Sequence, residues 1–217
     1  MRADFHMHTW YSPDSLTSPQ SLINRCLKVG LSCIAVTDHN TIQGAVDVAA
    51  LAPFQVIIAA EIRSTEGEIT GLFLNQEIPA GLSPLETVYR IKDQGGLVSI
   101  PHPYDPLRKS VLREQAIDSI MPYVDIIEAF NARNAFKGAN DRSSQVGEKN
   151  GLLVTAVSDA HHPLELGKTY TEMEAFDGTP EDFKKALEGA RLVRHPAGVS
   201  VHAWTTSVKW YKRFVRR

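Results

Sequence analysis

Two histidines one residue apart, His6 and His8, are the first residues whose types and spacing could do chemistry. On an extended segment, alternate residues point to the same side, so both imidazoles can grip one metal ion. A carboxylate or a water would complete such a site. Asp38-His39 and Asp159-Ala160-His161 each place a carboxylate beside an imidazole directly after an apolar run, where core packing gives no reason for charge. Glu61 and His102 stand in the same position after other apolar runs. With Asp14 the candidate ligands are His6, His8, Asp14, His39, Glu61, His102, Asp159 and His161, twice what a tetrahedral ion takes. Nitrogen and oxygen donors without thiolate suit zinc, manganese or iron. Two or three divalent ions sharing carboxylates are the economical reading. Such a centre activates a water and neutralises the oxygens of an in-line phosphoryl displacement.

Composition narrows what can carry this chemistry. A chain of 217 residues is one large domain or two small ones. Its 23 basic and 25 acidic residues give a net charge of −2, which excludes a globally basic nucleic-acid binder. The two cysteines, Cys26 and Cys33, form no CxxC pair and read as buried, reduced thiols. The N-terminal segment carries no apolar stretch of signal-peptide length, and no window approaches the ~18 apolar residues of a membrane span. A cytoplasmic protein without membrane contact is expected; oligomeric state is not legible.

The elements that must position these residues alternate. Apolar runs at residues 3–6, 32–37, 55–60, 67–74, 97–100, 124–130 and 152–157 read as strands, with a weaker one near Leu192. Helical spacing spans residues 19–29, 42–51, 84–94, 111–120, 138–150 and 180–190. Ser18-Pro19 and Ser83-Pro84 supply N-caps with first-turn prolines, and Gly30 and Gly95-Gly96 supply stops. Such alternation implies parallel βαβ units. An open doubly wound sheet gathers its ligands at one switch point. Here polar residues collect after many different strands, the layout of a barrel's active face.

In this order the motifs resemble those of the PHP (polymerase and histidinol phosphatase) domain family, over almost the whole chain. His6-Met7-His8 with Ser12 and Asp14 is similar to the first motif, and Thr37-Asp38-His39 to the second. Glu61 matches the bridging glutamate, His102-Pro103 the histidine-proline motif, and Ser158-Asp159-Ala160-His161 the last. The resemblance implies an α/β fold, a distorted seven-stranded (βα)7 TIM-like barrel forming a single domain over residues 1–217. It also implies a trinuclear centre. His6, His8, Glu61 and Asp159 would hold one ion, Glu61 and His102 a second, and Asp14, His39 and His161 a third. Glu68 stands where many members carry a further histidine, and would enter the second site as an oxygen ligand.

The function that follows is a metal-dependent phosphoesterase acting through a metal-activated hydroxide, with Asp159, His161, His39 and Glu61 as catalytic residues. Arg108 and Arg133 follow the fifth and sixth strands, and their planar forks suit phosphate oxygens. The expected partner is a small phosphorylated substrate, a phosphomonoester or nucleotide. The alternatives are an exonuclease acting on short RNA or DNA ends, and a non-catalytic metal-binding module. His162, beside the last motif, is a candidate acid or substrate contact, while His195 and His202 read as incidental. The tail at residues 203–217 is basic and aromatic. It is expected to form a helix that docks its aromatics and leaves its charges solvated.

Overall fold

In the computed structural model, residues 1–134, 136–198 and 200–215 are described. Arg216 and Arg217, the end of the basic tail, lie outside them. The strands are β1 (Arg2–Asp4), β2 (Cys33–Val36), β3 (Gln55–Ser64), β4 (Gly67–Leu72), β5 (Leu97–Ile100), β6 (Ile126–Asn131), β7 (Leu153–Val157), β8 (Tyr170–Glu172) and β9 (Arg191–Val193). The helices are α1 (Pro19–Val29), α2 (Gln43–Leu51), α3 (Pro84–Lys92), α4 (Glu114–Ile120), α5 (Lys137–Asn150), α6 (Pro180–Glu188) and α7 (Ser200–Val215).

Local signals explain the helix ends. The Ser18 hydroxyl accepts from the Ser21 amide, Pro19 occupies the first turn, and Gly30 closes α1 in the left-handed region at φ 75°. Ser83 caps α3 in the same way through the Glu86 amide, and Thr179 caps α6 through Asp182. The strands supply the core. β2 is buried along its whole length, and side chains such as Ile34 and Val36 contribute about 1.5–3 kcal/mol each on burial.

The sheet runs β7-β6-β5-β4-β3-β2-β1-β8-β9. The pairs β1–β2, β2–β3, β5–β6 and β6–β7 are parallel, as the alternation requires. The sheet is nearly closed: a parallel bridge joins Met7 to Ala160, the His8 amide donates to the Ala160 carbonyl at 2.8 Å, and the Ser158 amide donates to Asp4 Oδ1 at 3.0 Å. The α/β barrel expectation therefore holds in outline, while nine strands stand where seven were expected. Among the described residues the two further strands are β8, which the sequence did not mark, and β9, the weaker one near Leu192; β4 was expected and departs only in direction. Ser64 and Gly67 pair across a two-residue turn, too short for a helical crossover, so β4 runs antiparallel to β3 and β5. Beyond β7, β8 pairs antiparallel with β1 and with β9, extending the sheet past the junction. No helix among the described residues is long and apolar enough to cross a membrane.

Candidate metal centre

The strand ends bring all nine expected ligands to one face. His6 and His8 follow β1, Asp14 lies in the loop to α1, His39 follows β2, and Glu61 and Glu68 sit within β3 and β4. His102 follows β5, and Asp159 and His161 follow β7. Only His39 among them is appreciably open, with 18% of its side chain exposed. His102 and Asp159 take positive φ, 32° and 54°. That conformation is uncommon outside glycine and costs of order 1–3 kcal/mol where the surroundings enforce it.

Glu61 is the hub. Its Oε1 lies 2.7 Å from His102 Nε2 and 3.7 Å from His6 Nε2, and its Oε2 lies 3.1 Å from His39 Nδ1 and 3.7 Å from His8 Nε2. Asp159 Oδ1 lies 3.6, 3.5 and 3.5 Å from nitrogens of His6, His8 and His161. Asp14 Oδ2 faces His39 Nε2 at 3.4 Å and His161 Nε2 at 3.3 Å. Glu68 reaches His102 Nε2 at 3.6 Å and His39 Nδ1 at 3.8 Å, beside Glu61.

Hydrogen bonds behind these groups set which ring nitrogens face inward with a lone pair. His6 Nδ1 meets Glu128 Oε1 at 2.6 Å, so its proton sits there and Nε2 is left as an acceptor in the neutral ring. Ser12 Oγ donates to Asp38 Oδ1 and accepts from the His39 amide, so its contact with His8 Nδ1 is one in which the ring donates. His8 Nε2 then also presents a lone pair, 3.1 Å from that of His6. His161 Nδ1 donates to the Asp159 carbonyl at 2.8 Å, turning its Nε2 toward Asp14. Two lone pairs that close are mutually repulsive unless a proton or a cation lies between them. Carboxylate-supported imidazoles of this kind are what metal-ligating histidines show.

Charge points the same way. Burial disfavours an imidazolium at His6, yet Glu128, Asp159 and Glu61 hold its pKa well above the ordinary value. His39 is raised likewise, against burial, by Glu61 and Asp14. Burial and the neighbouring His161 push His8 down to about 3. Burial and the Glu61 charge raise Glu68. The cluster is thus rich in negative charge that wants positive charge among it. Asp14 Oδ1, Asp159 Oδ1 and His102 Nδ1 are buried without a hydrogen-bond partner. Sets such as His8/His39/His161, His6/His8/Glu61, His6/His102/Asp159 and His39/Glu61/Glu68 each bring three ligand atoms within 4.8 Å of one another. The residues present fit divalent ions.

A second layer holds the ligands; Ser12 and Asp38 belong to the motifs, whereas Glu128 is not among the expected site residues. Glu128 bonds His6 through one oxygen and the His102 amide through the other, at 2.6 Å each. The signal was available: Glu128 is a lone charge inside the apolar run of β6. Asp38 is no direct participant; it accepts from Ser12, from the Thr9 amide and from the Thr9 hydroxyl. Gly44 lets α2 pack against this support, because a Cβ there would fall 1.9 Å from Asp38 Oδ2.

The two arginines end in different places. Arg108 donates to Asp159 Oδ2 at 2.5 Å and to Asp105 Oδ2 at 3.3 Å, with 18% of its side chain exposed. Arg133 is buried; it donates to Glu165 Oε2 at 2.9 Å, to the Val201 carbonyl at 3.2 Å and to the Thr205 hydroxyl at 3.1 Å. Those bonds tie α7 to the rim. His162 Nδ1 accepts from the Leu164 amide, and its ring packs edge-on with Trp204. His195 lines a cavity beside the centre. His202, on α7, is pulled below its ordinary pKa by burial and by Arg133 and Arg108.

The tail forms the expected helix with the opposite face docked. Lys209 Nζ lies 3.0 Å from Asp14 Oδ2, and Lys212 Nζ donates to the Trp10 and Ser12 carbonyls at 2.6 Å. Trp210, Tyr211 and Phe214 are exposed. Residues 205, 208, 209 and 212 share a helix face; Val208 is buried there, and the lysines find acceptors on the rim.

Comparison with known proteins places these features. Residues 4–139 match the family model described as PHP domain, and residues 137–192 match one described as PHP-associated. An uncharacterized protein of Methanocaldococcus jannaschii is 43% identical over 144 residues, 60% of this chain and 84% of that protein. The 5'-3' exoribonuclease Rnm of Salmonella typhimurium is 26% identical across 98% of this chain and 69% of its own length. A crystal structure of a two-domain protein from Bacteroides vulgatus, containing a predicted PHP-like metal-dependent phosphoesterase, superposes with a TM-score of 0.72. That match has 17% identity and covers 95% of this chain and 69% of that one.

Proposed function

The chain belongs to the PHP domain family, and on that premise we propose that it is a metal-dependent phosphoesterase that hydrolyses a small phosphomonoester or nucleotide. One observation carries the reading: five histidines and four carboxylates, from within β3 and β4 and from the segments after β1, β2, β5 and β7, converge with inward lone pairs and unpartnered carboxylate oxygens. His6, His8, Glu61 and Asp159 would hold one ion, Glu61, Glu68 and His102 a second, and Asp14, His39 and His161 a third. Two or three ions of zinc, manganese or iron suit these donors. When bound, such ions activate water for attack on phosphorus and neutralise the charge that builds on its oxygens.

The chain's own residues do the rest. Glu128 and the Ser12–Asp38 pair orient His6 and His8. Arg108, partly open beside Asp159, is positioned to take the non-reacting phosphate oxygens as a planar fork. Arg133 has its donors committed to Glu165 and α7, so its part is to hold the rim and only indirectly the phosphate.

A second reading, an exonuclease acting on short RNA or DNA ends, draws on the exposed aromatics and the basic residues of α7 at the rim. Aromatic faces beside basic groups suit single strands. The exoribonuclease relative, aligned along nearly the whole chain, favours it too. Elemental analysis of the purified protein, with phosphate release from phosphorylated metabolites and short oligonucleotides, separates the readings. Bound metal and monoester turnover are expected. Turnover of oligonucleotides alone overturns the monoesterase reading, and bound metal without any turnover leaves a metal-binding module.

A further inference from the structure

Beside the centre, on the same face of the sheet, lies a cavity of about 520 Å³. That volume falls within the roughly 300–1,000 Å³ of small-molecule sites. A second depression of about 540 Å³, lined by Trp10, Pro19 and Leu51 among others, shares no residue with the candidate ligands or their supports, so size alone does not choose between them. Position does. The wall of the first includes Ser158, the neighbour of Asp159, and Glu165, whose carboxylate accepts from the His161 amide at 3.2 Å and from Arg133 at 2.9 Å.

The remaining wall is mostly apolar, from Ala132, Leu164, Pro196 and Val201, and it carries two aromatic rings. Trp204 is 41% exposed, and its ring centroid lies 5.1 Å from that of His162 at 79°. Because His162 Nδ1 accepts from the Leu164 amide, Nε2 carries the proton and is the donor of that ring. Lys168 and His195 add polar groups to the lining. Flat aromatic surface, apolar walls and a few polar groups are the chemistry that recognises a planar heteroaromatic ring. Trp204 belongs to α7, and α7 begins beyond residue 192, where the family matches end.

We infer that this cavity is the subsite for the nucleobase of a nucleotide whose phosphate lies at the centre, with Trp204 as its stacking surface. The inference rests on the phosphoesterase reading and narrows its substrate class. Arg133 couples the two parts through Glu165 of the cavity wall, which accepts from its guanidinium through one oxygen and from the His161 amide of the centre through the other.

The test uses the metal-loaded, full-length protein with adenosine 5'-monophosphate and ribose 5-phosphate, which differ by the base alone. Stacking of one base on an aromatic side chain corresponds to roughly 5- to 150-fold in affinity. Trp204→Ala is expected to raise KM for the nucleotide within that range, with kcat little changed and ribose 5-phosphate kinetics unaltered. Trp204→Phe should recover much of the loss. Equal effects on both substrates, or none on the nucleotide, overturn the subsite. If neither ester is hydrolysed by the wild type, the phosphoesterase reading is decided by the wider test with phosphorylated metabolites and short oligonucleotides, and the cavity is tested separately by quenching of tryptophan fluorescence with adenosine in metal-free protein. Quenching that Trp204→Ala removes supports the subsite; absent or unchanged quenching overturns it.

Discussion

The carboxylate of Asp14 is where two differently built regions meet. On one side stand imidazoles and carboxylates delivered by the strands, nearly all buried, with His6, His8 and His161 each held by a hydrogen bond at Nδ1. On the other stands Lys209, 57% exposed, carried by a single helix packed on the rim. The same pairing of charges has different consequences in the two places. A buried, supported ligand cannot be removed without leaving its neighbours as unpaired charge, which is costly. An exposed lysine can turn to water, and such pairs contribute about 0–1 kcal/mol. The buried cluster is therefore held far more tightly than the helix contact beside it.

That contrast can be broken by experiment, most sharply at the ligands. Asp159→Ala and His39→Ala should each abolish phosphate release and lower the bound metal, with circular dichroism showing the fold retained; near-normal turnover in both would refute the centre. Removal of metal by a chelator should have the same effect on the wild type and be reversed by adding zinc or manganese. Next in size is Glu128→Gln, which leaves every candidate ligand in place. Loss of such a supporting partner costs about 10- to 100-fold in metal affinity, measurable by competition with a chromophoric chelator; unchanged affinity would show that His6 needs no orienting partner.

Gly44→Ala tests the support beneath. The added Cβ would meet Asp38 Oδ2 at 1.9 Å and Thr9 Oγ1 at 2.5 Å, and overpacking of this kind costs about 1–3 kcal/mol. A lowered melting temperature is the expected result, and an unchanged one would mean that α2 shifts freely. Smallest is Lys209→Ala. It should move the melting temperature by no more than an exposed ion pair allows and change KM a few-fold; loss of activity comparable to Asp159→Ala would erase the distinction between the two regions.

What could be read without coordinates follows how far each feature depends on distant chain. The caps of α1 and α3 were legible because Ser18, Pro19, Gly30 and Ser83 act within one turn. The convergence of His6, His39, Glu61, His102 and Asp159 was legible because each follows or ends an apolar strand, and the ends of parallel strands lie on one face. Glu128 escaped because its role, holding His6 across 122 residues of chain, has no local mark beyond a charge among apolar neighbours. The bonds from Arg133 to α7 have no mark in its sequence neighbours, because they span about seventy residues of chain.

The sequence by itself determined the donor types, the order of the motifs and the alternation of strand and helix, because these depend on residue chemistry and on periodicity over a few residues. Tertiary structure alone decided the rest. The junction of Met7 with Ala160 sets how nearly the sheet closes, the two-residue turn before β4 sets that strand's direction, and the pairing of β8 with β1 and β9 sets the strand count. Likewise, the face that α7 docks was decided by the rim it meets. Its aromatic stripe predicted burial, but Asp14 and the carbonyls of Trp10 and Ser12 offered acceptors, and the lysines took them.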